Sequence, residues 1–167
     1  MKTENNIILD NNQINHKIRR IALQILESNI NETEIILAGI SNNGFLLAKK
    51  LQQVINEYNT VSTILCEVYI NKKNVLDDVT TSITDTEYRN KAVVLIDDVL
   101  NSGATLIYGA KHFLNTPLKR LKTAVLINRN HKKYPIKADF KGLSLSTSIH
   151  EHVEVILDDN NYRAILI

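Results

Sequence analysis

Two adjacent carboxylates, Asp97 and Asp98, close an apolar run and are followed after two apolar residues by Asn101, Ser102, Gly103, Ala104 and Thr105. Carboxylates accept hydrogen bonds or bind a hard cation, so the pair suits sugar hydroxyls or Mg2+. A glycine in a turn lets backbone N–H groups approach an anion, and a helix that begins there presents a partial positive charge to phosphate. Ser102 and Thr105 add hydroxyl donors. A phosphorylated sugar satisfies both halves. Taken singly, Ser102 reads equally as a helix cap, Gly103 as a turn residue and the acids as polar punctuation at a sheet edge. Only their conjunction points to a ligand.

The flanking residues supply elements to hold these groups. Ala92 to Ile96 is an unbroken, β-branched apolar run, as in a central parallel strand buried on both faces. Leu106, Ile107, Ala110, Phe113 and Leu114 recur at helical spacing after the turn. The same order appears earlier: strand Glu34 to Ile40, turn Ser41-Asn42-Asn43-Gly44, then Phe45, Leu47, Ala48, Leu51, Val54 and Ile55 as a helix face. It returns in Thr123 to Ile127, which ends in Asn128-Arg129-Asn130-His131, polar groups at the carboxyl end of a strand. Arg129 there reads as a clamp for pyrophosphate or a base carbonyl, or as a partner in an ordinary salt bridge.

A first helix spans Ile14 to Leu26, with Lys17, Arg19 and Arg20 largely off its apolar face; a solvated helix side and a nucleic-acid patch are both open for them. Thr63 to Ile70 reads as a strand, followed by Asn71-Lys72-Lys73-Asn74. Val153 to Leu157 and Tyr162 to Ile167 read as a terminal strand pair around Asp158 to Asn161, and the asparagines near the start read as a loose terminus. Alternating strand and helix place the chain in the α/β class, with a central, mostly parallel sheet flanked by helices.

Length and composition narrow the frame. One hundred and sixty-seven residues, 44% hydrophobic and 23% charged, are the size and balance of one soluble domain spanning residues 1–167. A net charge of +2 is too small to argue for nucleic acid by itself. Cys66 is the only cysteine, which excludes an intrachain disulfide and fits a reducing cytoplasm. No apolar run approaches the length needed to span a membrane, and the first residues lack the apolar stretch of a signal peptide.

Val93 to Thr105, VVLIDDVLNSGAT, resembles the signature by which type I phosphoribosyltransferases bind phosphoribosyl pyrophosphate (PRPP). The resemblance implies that Asp97 and Asp98 serve the ribose hydroxyls and the Mg2+ environment, and that Asn101, Ser102, Gly103, Ala104 and Thr105 wrap the 5′-phosphate. It also implies that Ser41, Asn42, Asn43 and Gly44 form a pyrophosphate loop assisted by Arg129. A small hood and a mobile hairpin near Lys72 and Lys73 are part of that fold. Ile21-Ala22, Gly39-Ile40, Leu47-Ala48-Lys49 and the segment AVLINRNHKKYPIKADFKGLSLSTS further resemble the bacterial pyrimidine-operon attenuation regulators, many of which are also uracil phosphoribosyltransferases.

The expected reaction is therefore transfer of ribose 5-phosphate from PRPP to a nucleobase, uracil foremost, by a homodimer or larger homo-oligomer. The alternative is an RNA-binding regulator that senses nucleotide or PRPP with little turnover; Lys132, Lys133, Lys137 and Lys141 would add to its positive surface. The chain departs from the family in its uncharged Ser41-Asn42-Asn43 loop, in a hairpin that carries lysines in place of an arginine and acid cluster, and at Asn128 and Asn130, where the regulators have Asp and Gly. Asn101 stands where purine-salvage members place an aspartate, and an amide cannot act as a general base.

Overall fold

The computed structural model describes residues 6–159 and 161–167. Its elements in chain order are β1 (Ile7–Leu9), α1 (Asn11–Ser28), β2 (Glu34–Ile40), α2 (Asn43–Asn56), β3 (Ser62–Tyr69), β4 (Thr80–Thr81), α3 (Asp85–Tyr88) and β5 (Ala92–Leu100), then α4 (Ala104–Phe113), β6 (Arg120–Arg129), β7 (Phe140–Leu145), β8 (Val153–Asp158) and β9 (Asn161–Leu166). Among the described residues the main sheet has the order β4-β3-β2-β5-β6-β7, and a second sheet has the order β1-β9-β8. The strands from β3 to β7 run parallel, and only β4 is antiparallel to its neighbour. The expected α/β class, hood and hairpin are thus all present. The hood is the antiparallel β1-β9-β8 sheet, and the hairpin is the β3–β4 connection.

Side chains of the central strands alternate between two cores, as a period of two requires. Ile35, Leu37, Val94 and Ile96 face α1, α2 and the hood, whereas Ile36, Ala38, Val93 and Leu95 face α3 and α4. Val93 to Ile96 are at most 1% exposed, which is why that run carries no polar residue. On the second face, Phe113 is fully buried and meets Tyr88 edge-on at 5.0 Å between ring centroids.

The chain leaves β2 in one direction, through α2 to β3, and leaves β5 in the other, through α4 to β6. The order therefore reverses between β2 and β5, and open α/β sheets bind ligands at such a reversal. The two strands also end unequally. Pairing of β2 with β5 stops at Gly39 and Ile96, while β5 continues against β6 with Asp97 opposite Val125 and Val99 opposite Ile127. The acids were expected to end the strand at Ile96; they instead lie inside it, because one neighbour carries the ladder onward.

Two further differences have local causes. Asn11 and Asn12 are not a loose terminus but the first turn of α1, since Asp10 accepts from Gln13 N at 2.8 Å and the Gln13 side chain accepts from Asp10 N at 2.9 Å. The asparagine at position 5 lies outside the described residues, as does Asn160 of the expected terminal turn. β7 was not anticipated: it is an edge strand with a glycine in its interior, so its apolar signal is thin.

Candidate functional site

At the carboxyl ends of β5 and β6 lies a cavity of about 350 Å3. Asp97, Asp98, all of Asn101 to Thr105, and Arg129 line it, together with Lys72 from the hairpin and His152 and Val153 from the edge of the hood. The two halves read from the sequence, acids and anion loop, thus face one space.

Asp97 is 4% exposed. Burial, and after it the charge of Asp98, push its carboxyl up to about 7, while Lys72 pulls the other way. Lys72 Nζ lies 3.3 Å from Asp97 Oδ1. Asp98 is half-buried and accepts from Asn43 Nδ2 at 3.0 Å, and the same amide also donates to Val155 O of the hood at 2.8 Å. One asparagine therefore fixes the acid, the start of α2 and strand β8 together.

The turn after β5 has the form its sequence implied. Gly103 adopts φ +87°, a left-handed conformation strained for any residue with a side chain, and a Cβ there would also lie 2.8 Å from Ile136 Cγ2. α4 begins at Ala104, so the N–H groups of its first turn have no carbonyl one turn behind; Ser102 Oγ accepts from Ala104 N at 3.2 Å. Those of Thr105 and Leu106 belong to residues that line the cavity and suit an anion. From outside, Lys133 N and Tyr134 N both donate to Ser102 O, at 2.8 and 3.2 Å. This brace from the segment after β6 was not read from the sequence. Neither were His152 and Val153, whose neighbourhood depends on how the hood folds back.

The Ser41 to Gly44 loop lies beside the cavity without lining it. Ser41 N and Oγ both bond to Val68 O, at 2.8 and 2.9 Å, and Asn42 is exposed with φ 69°. Gly44 approaches β5 so closely that a Cβ would meet Ile96 O at 2.8 Å. Arg129 is 3% exposed and donates from Nε to Thr147 Oγ1 at 3.0 Å and from Nη2 to Ser148 O and Glu151 O. Ser148 N in turn bonds the Glu151 carboxylate and holds it below the usual carboxylate range. Arg129 thus organises the 147–151 loop while facing the cavity.

A second hollow, of about 410 Å3, adjoins the first. Asn101, Ser102, Arg129 and His152 line both, and His131, Lys132, Lys133 and Ile149 complete it. Two neighbouring spaces that share part of their lining suit a reaction between two small molecules. The paired carboxylates beside the anion loop also fit Mg2+, which takes one or two carboxylates and completes its shell with water and substrate phosphate.

A doubly wound sheet with an acid pair and a phosphate-suited loop at its reversal defines a class, and comparison with known proteins agrees with it. Residues 4–160 match the family described as the phosphoribosyl transferase domain, and the chain belongs to that family. Its relatives include the bifunctional protein PyrR of Macrococcus caseolyticus, 35% identical over 92% of each chain, and that of Fusobacterium nucleatum subsp. nucleatum, 34% identical over 95% of this chain and 94% of the relative. The resemblance drawn from the residues is thereby borne out. Among solved structures, the hypoxanthine phosphoribosyltransferase of Trypanosoma cruzi in complex with the product IMP superimposes with a TM-score of 0.80 at 15% identity, covering 99% of this chain and 97% of the other. That likeness concerns the fold.

Proposed function

We propose that this protein transfers ribose 5-phosphate from PRPP to uracil with release of pyrophosphate, within one domain spanning residues 1–167 and in the cytoplasm. The observation that carries the reading is the single cavity lined by Asp97, Asp98 and the whole Asn101 to Thr105 turn, with a second hollow against it. The turn and the first N–H groups of α4 hold the 5′-phosphate, and the acids orient the ribose hydroxyls. This leaves C1′ toward the shared wall, where uracil N1 bonds to C1′ as the bond from C1′ to the pyrophosphate oxygen breaks, through an oxocarbenium-like transition state with inversion, and the N1 proton passes to solvent or to the departing pyrophosphate. Holding both reactants in adjoining spaces supplies most of the effect, since positioning alone removes much of the barrier to such a displacement. Mg2+ held by Asp97 and Asp98 would neutralise charge on the departing pyrophosphate. Arg129, buried at the shared wall, keeps the 147–151 loop in place and faces the same charge.

Uracil is favoured by Asn101, which offers no carboxylate to a purine nitrogen. Pyrophosphate release measured with uracil, hypoxanthine, guanine, adenine, xanthine and orotate offered separately tests the assignment. Stimulation by uracil alone is expected, and stimulation by a purine instead would overturn the base assignment. The homo-oligomer expected of this family is tested by light scattering on the eluting protein.

A second reading, binding of RNA, has its own observation. Arg20 Nη2 donates to Lys141 O and Gly142 O, and a Cβ at Gly142 would lie 3.3 Å from Lys17 Cβ. The fold therefore gathers Lys17, Arg20 and Lys141 on one surface formed by α1 and β7, as phosphate contacts require. Affinity for a pyrimidine-operon leader RNA that falls steeply with salt is the expected result; salt-independent or absent binding would exclude this role.

A further inference from the structure

Asp97 is paired with Lys72, a residue of the hairpin and not of the sheet. The contact is lopsided: the Asp97 side chain is 5% exposed and that of Lys72 is 45% exposed. A buried carboxylate needs a cation, whereas a half-solvated lysine leaves one easily. Lys72 also lines the cavity beside the anion loop, so the same ammonium group has both the acids and the expected phosphates within its surroundings.

The neighbouring groups leave it little competition. The Ser41 to Gly44 loop carries no charge, its Ser41 hydroxyl is bonded to Val68 O, and its Asn43 amide is shared between Asp98 and Val155 O. Arg129 commits Nε and Nη2 to the 147–151 loop. Lysine suits a transient role, being a point charge on a flexible stem. Between Tyr69 and Thr80 the chain leaves the sheet as a turn closed on itself, Asn71 and Asn74 both donating to the Asp77 carboxylate, and it returns through β4, which is two residues long.

We propose that Lys72 is the movable cation of this site, neutralising Asp97 when the cavity is empty and passing to the pyrophosphate group when PRPP arrives with its own metal. The proposal rests on the reading of the cavity as a PRPP site. It replaces the cation that the Ser41 to Gly44 loop lacks with one delivered by the hairpin. A positive charge at the acid pair repels a second cation and attracts a polyanion, so its removal has opposite effects on two ligands. The acid pair gains affinity for a bare divalent cation, and the cavity loses affinity for a polyanion.

The test uses the full chain and Lys72→Gln, with Lys73→Gln as the control at a neighbouring exposed lysine that does not line the cavity. Mn2+ binding alone, followed by its electron paramagnetic resonance signal, is expected to tighten about two- to fivefold in Lys72→Gln, the range of a half-exposed ion pair. Binding of PRPP with Mg2+, followed by calorimetry, is expected to weaken at least about tenfold, the loss of a charge-assisted hydrogen bond. Lys72→Arg restores PRPP binding in part, and Lys73→Gln changes neither. Affinities that move in one direction, or that do not move at all, would overturn the proposal. If the unsubstituted protein binds no PRPP, the functional reading falls and this proposal with it. PRPP binding that Lys72→Gln leaves unchanged removes the proposal alone.

Discussion

Replacing Gly44 with alanine adds one methyl group at a close contact between α2 and the acid-bearing strand. That methyl would lie 2.8 Å from Ile96 O, 3.1 Å from Asp97 Cα and 3.2 Å from Asp97 Oδ1. Ordinary carbon–oxygen approaches are about 3.3–3.6 Å, so roughly 0.5 Å or more must be made up by movement. β5 cannot readily yield, because it is hydrogen-bonded to β2 on one side and β6 on the other. The start of α2 cannot settle elsewhere on β2 either, since a Cβ at Gly39 would already meet Gly44 O at 2.6 Å. Overpacking of this kind costs about 1–3 kcal/mol, equivalent to about 2–12 °C in Tm at this chain length. The displacement is shared by Asp97 and by Asn43, which anchors Asp98, so affinity for PRPP with Mg2+ should fall at least about tenfold. Gly109→Ala is the matched control. It adds a methyl to another helix–sheet contact, but against the movable Leu95 Cδ2 at 3.2 Å and away from the cavity. Denaturant unfolding and titration calorimetry on both variants decide the matter. Native stability and native PRPP affinity in Gly44→Ala would refute the close approach and its link to the acids.

Asp98→Asn keeps an acceptor for Asn43 but removes a charge from the cavity, so PRPP affinity should drop at least about tenfold with Tm nearly unchanged; unaltered affinity would show that Asp98 does not meet the ligand. Glu32 is bonded to Lys119 and Arg120, and the Lys119 contact foremost holds its carboxyl below the ordinary 4.5. A folded value below the unfolded one contributes stability above the unfolded value that disappears as pH falls through the folded one. Glu32→Gln should therefore lower stability at neutral pH and flatten the acid limb of the stability curve, and an unchanged acid limb would discount the contact. Cys66 is fully buried, and desolvation pushes its thiol up to about 11. A thiol reagent should label it only as the chain unfolds, with native-state labelling at the rate of a free thiol as the contrary result. Phe113→Ala should cost about 3–5 kcal/mol while leaving ligand affinity per folded molecule unaltered, since the ring packs on Tyr88 away from the cavity; a small cost would contradict the packing.

Much of the fold was legible because its central elements are locally consistent. β2 was read with its observed bounds, since Glu34 to Ile40 is a closed apolar run between polar turns. The extent of β5 was not legible: a run ending in two aspartates looks finished, and only pairing with β6 carries it to Leu100. β1 and β7 escaped notice because a three-residue strand and a glycine-bearing edge strand carry little periodicity of their own. The phosphate-suited turn could be read in full, as its chemistry lies in contiguous residues. The rest of the cavity could not. Lys72 reaches Asp97 across 25 positions of sequence, and His152 arrives from the edge of the hood. Arg129 was read as a clamp or a salt-bridge partner, and the fold gives it hydroxyl and carbonyl partners from a loop whose course no local pattern specifies. The capping box of Asp10 and Gln13, by contrast, is present in the sequence but masked by the asparagines around it.

On this reading the Asn101 to Thr105 turn and the acids within β5 bind one molecule of PRPP. A crystal structure with PRPP and Mg2+ tests it most directly. The 5′-phosphate is expected against the backbone of Ser102 to Thr105 and the ribose hydroxyls at Asp97 and Asp98, with Lys72 moved off Asp97. A phosphate bound elsewhere, or a ligand that leaves the acid pair untouched, would contradict it.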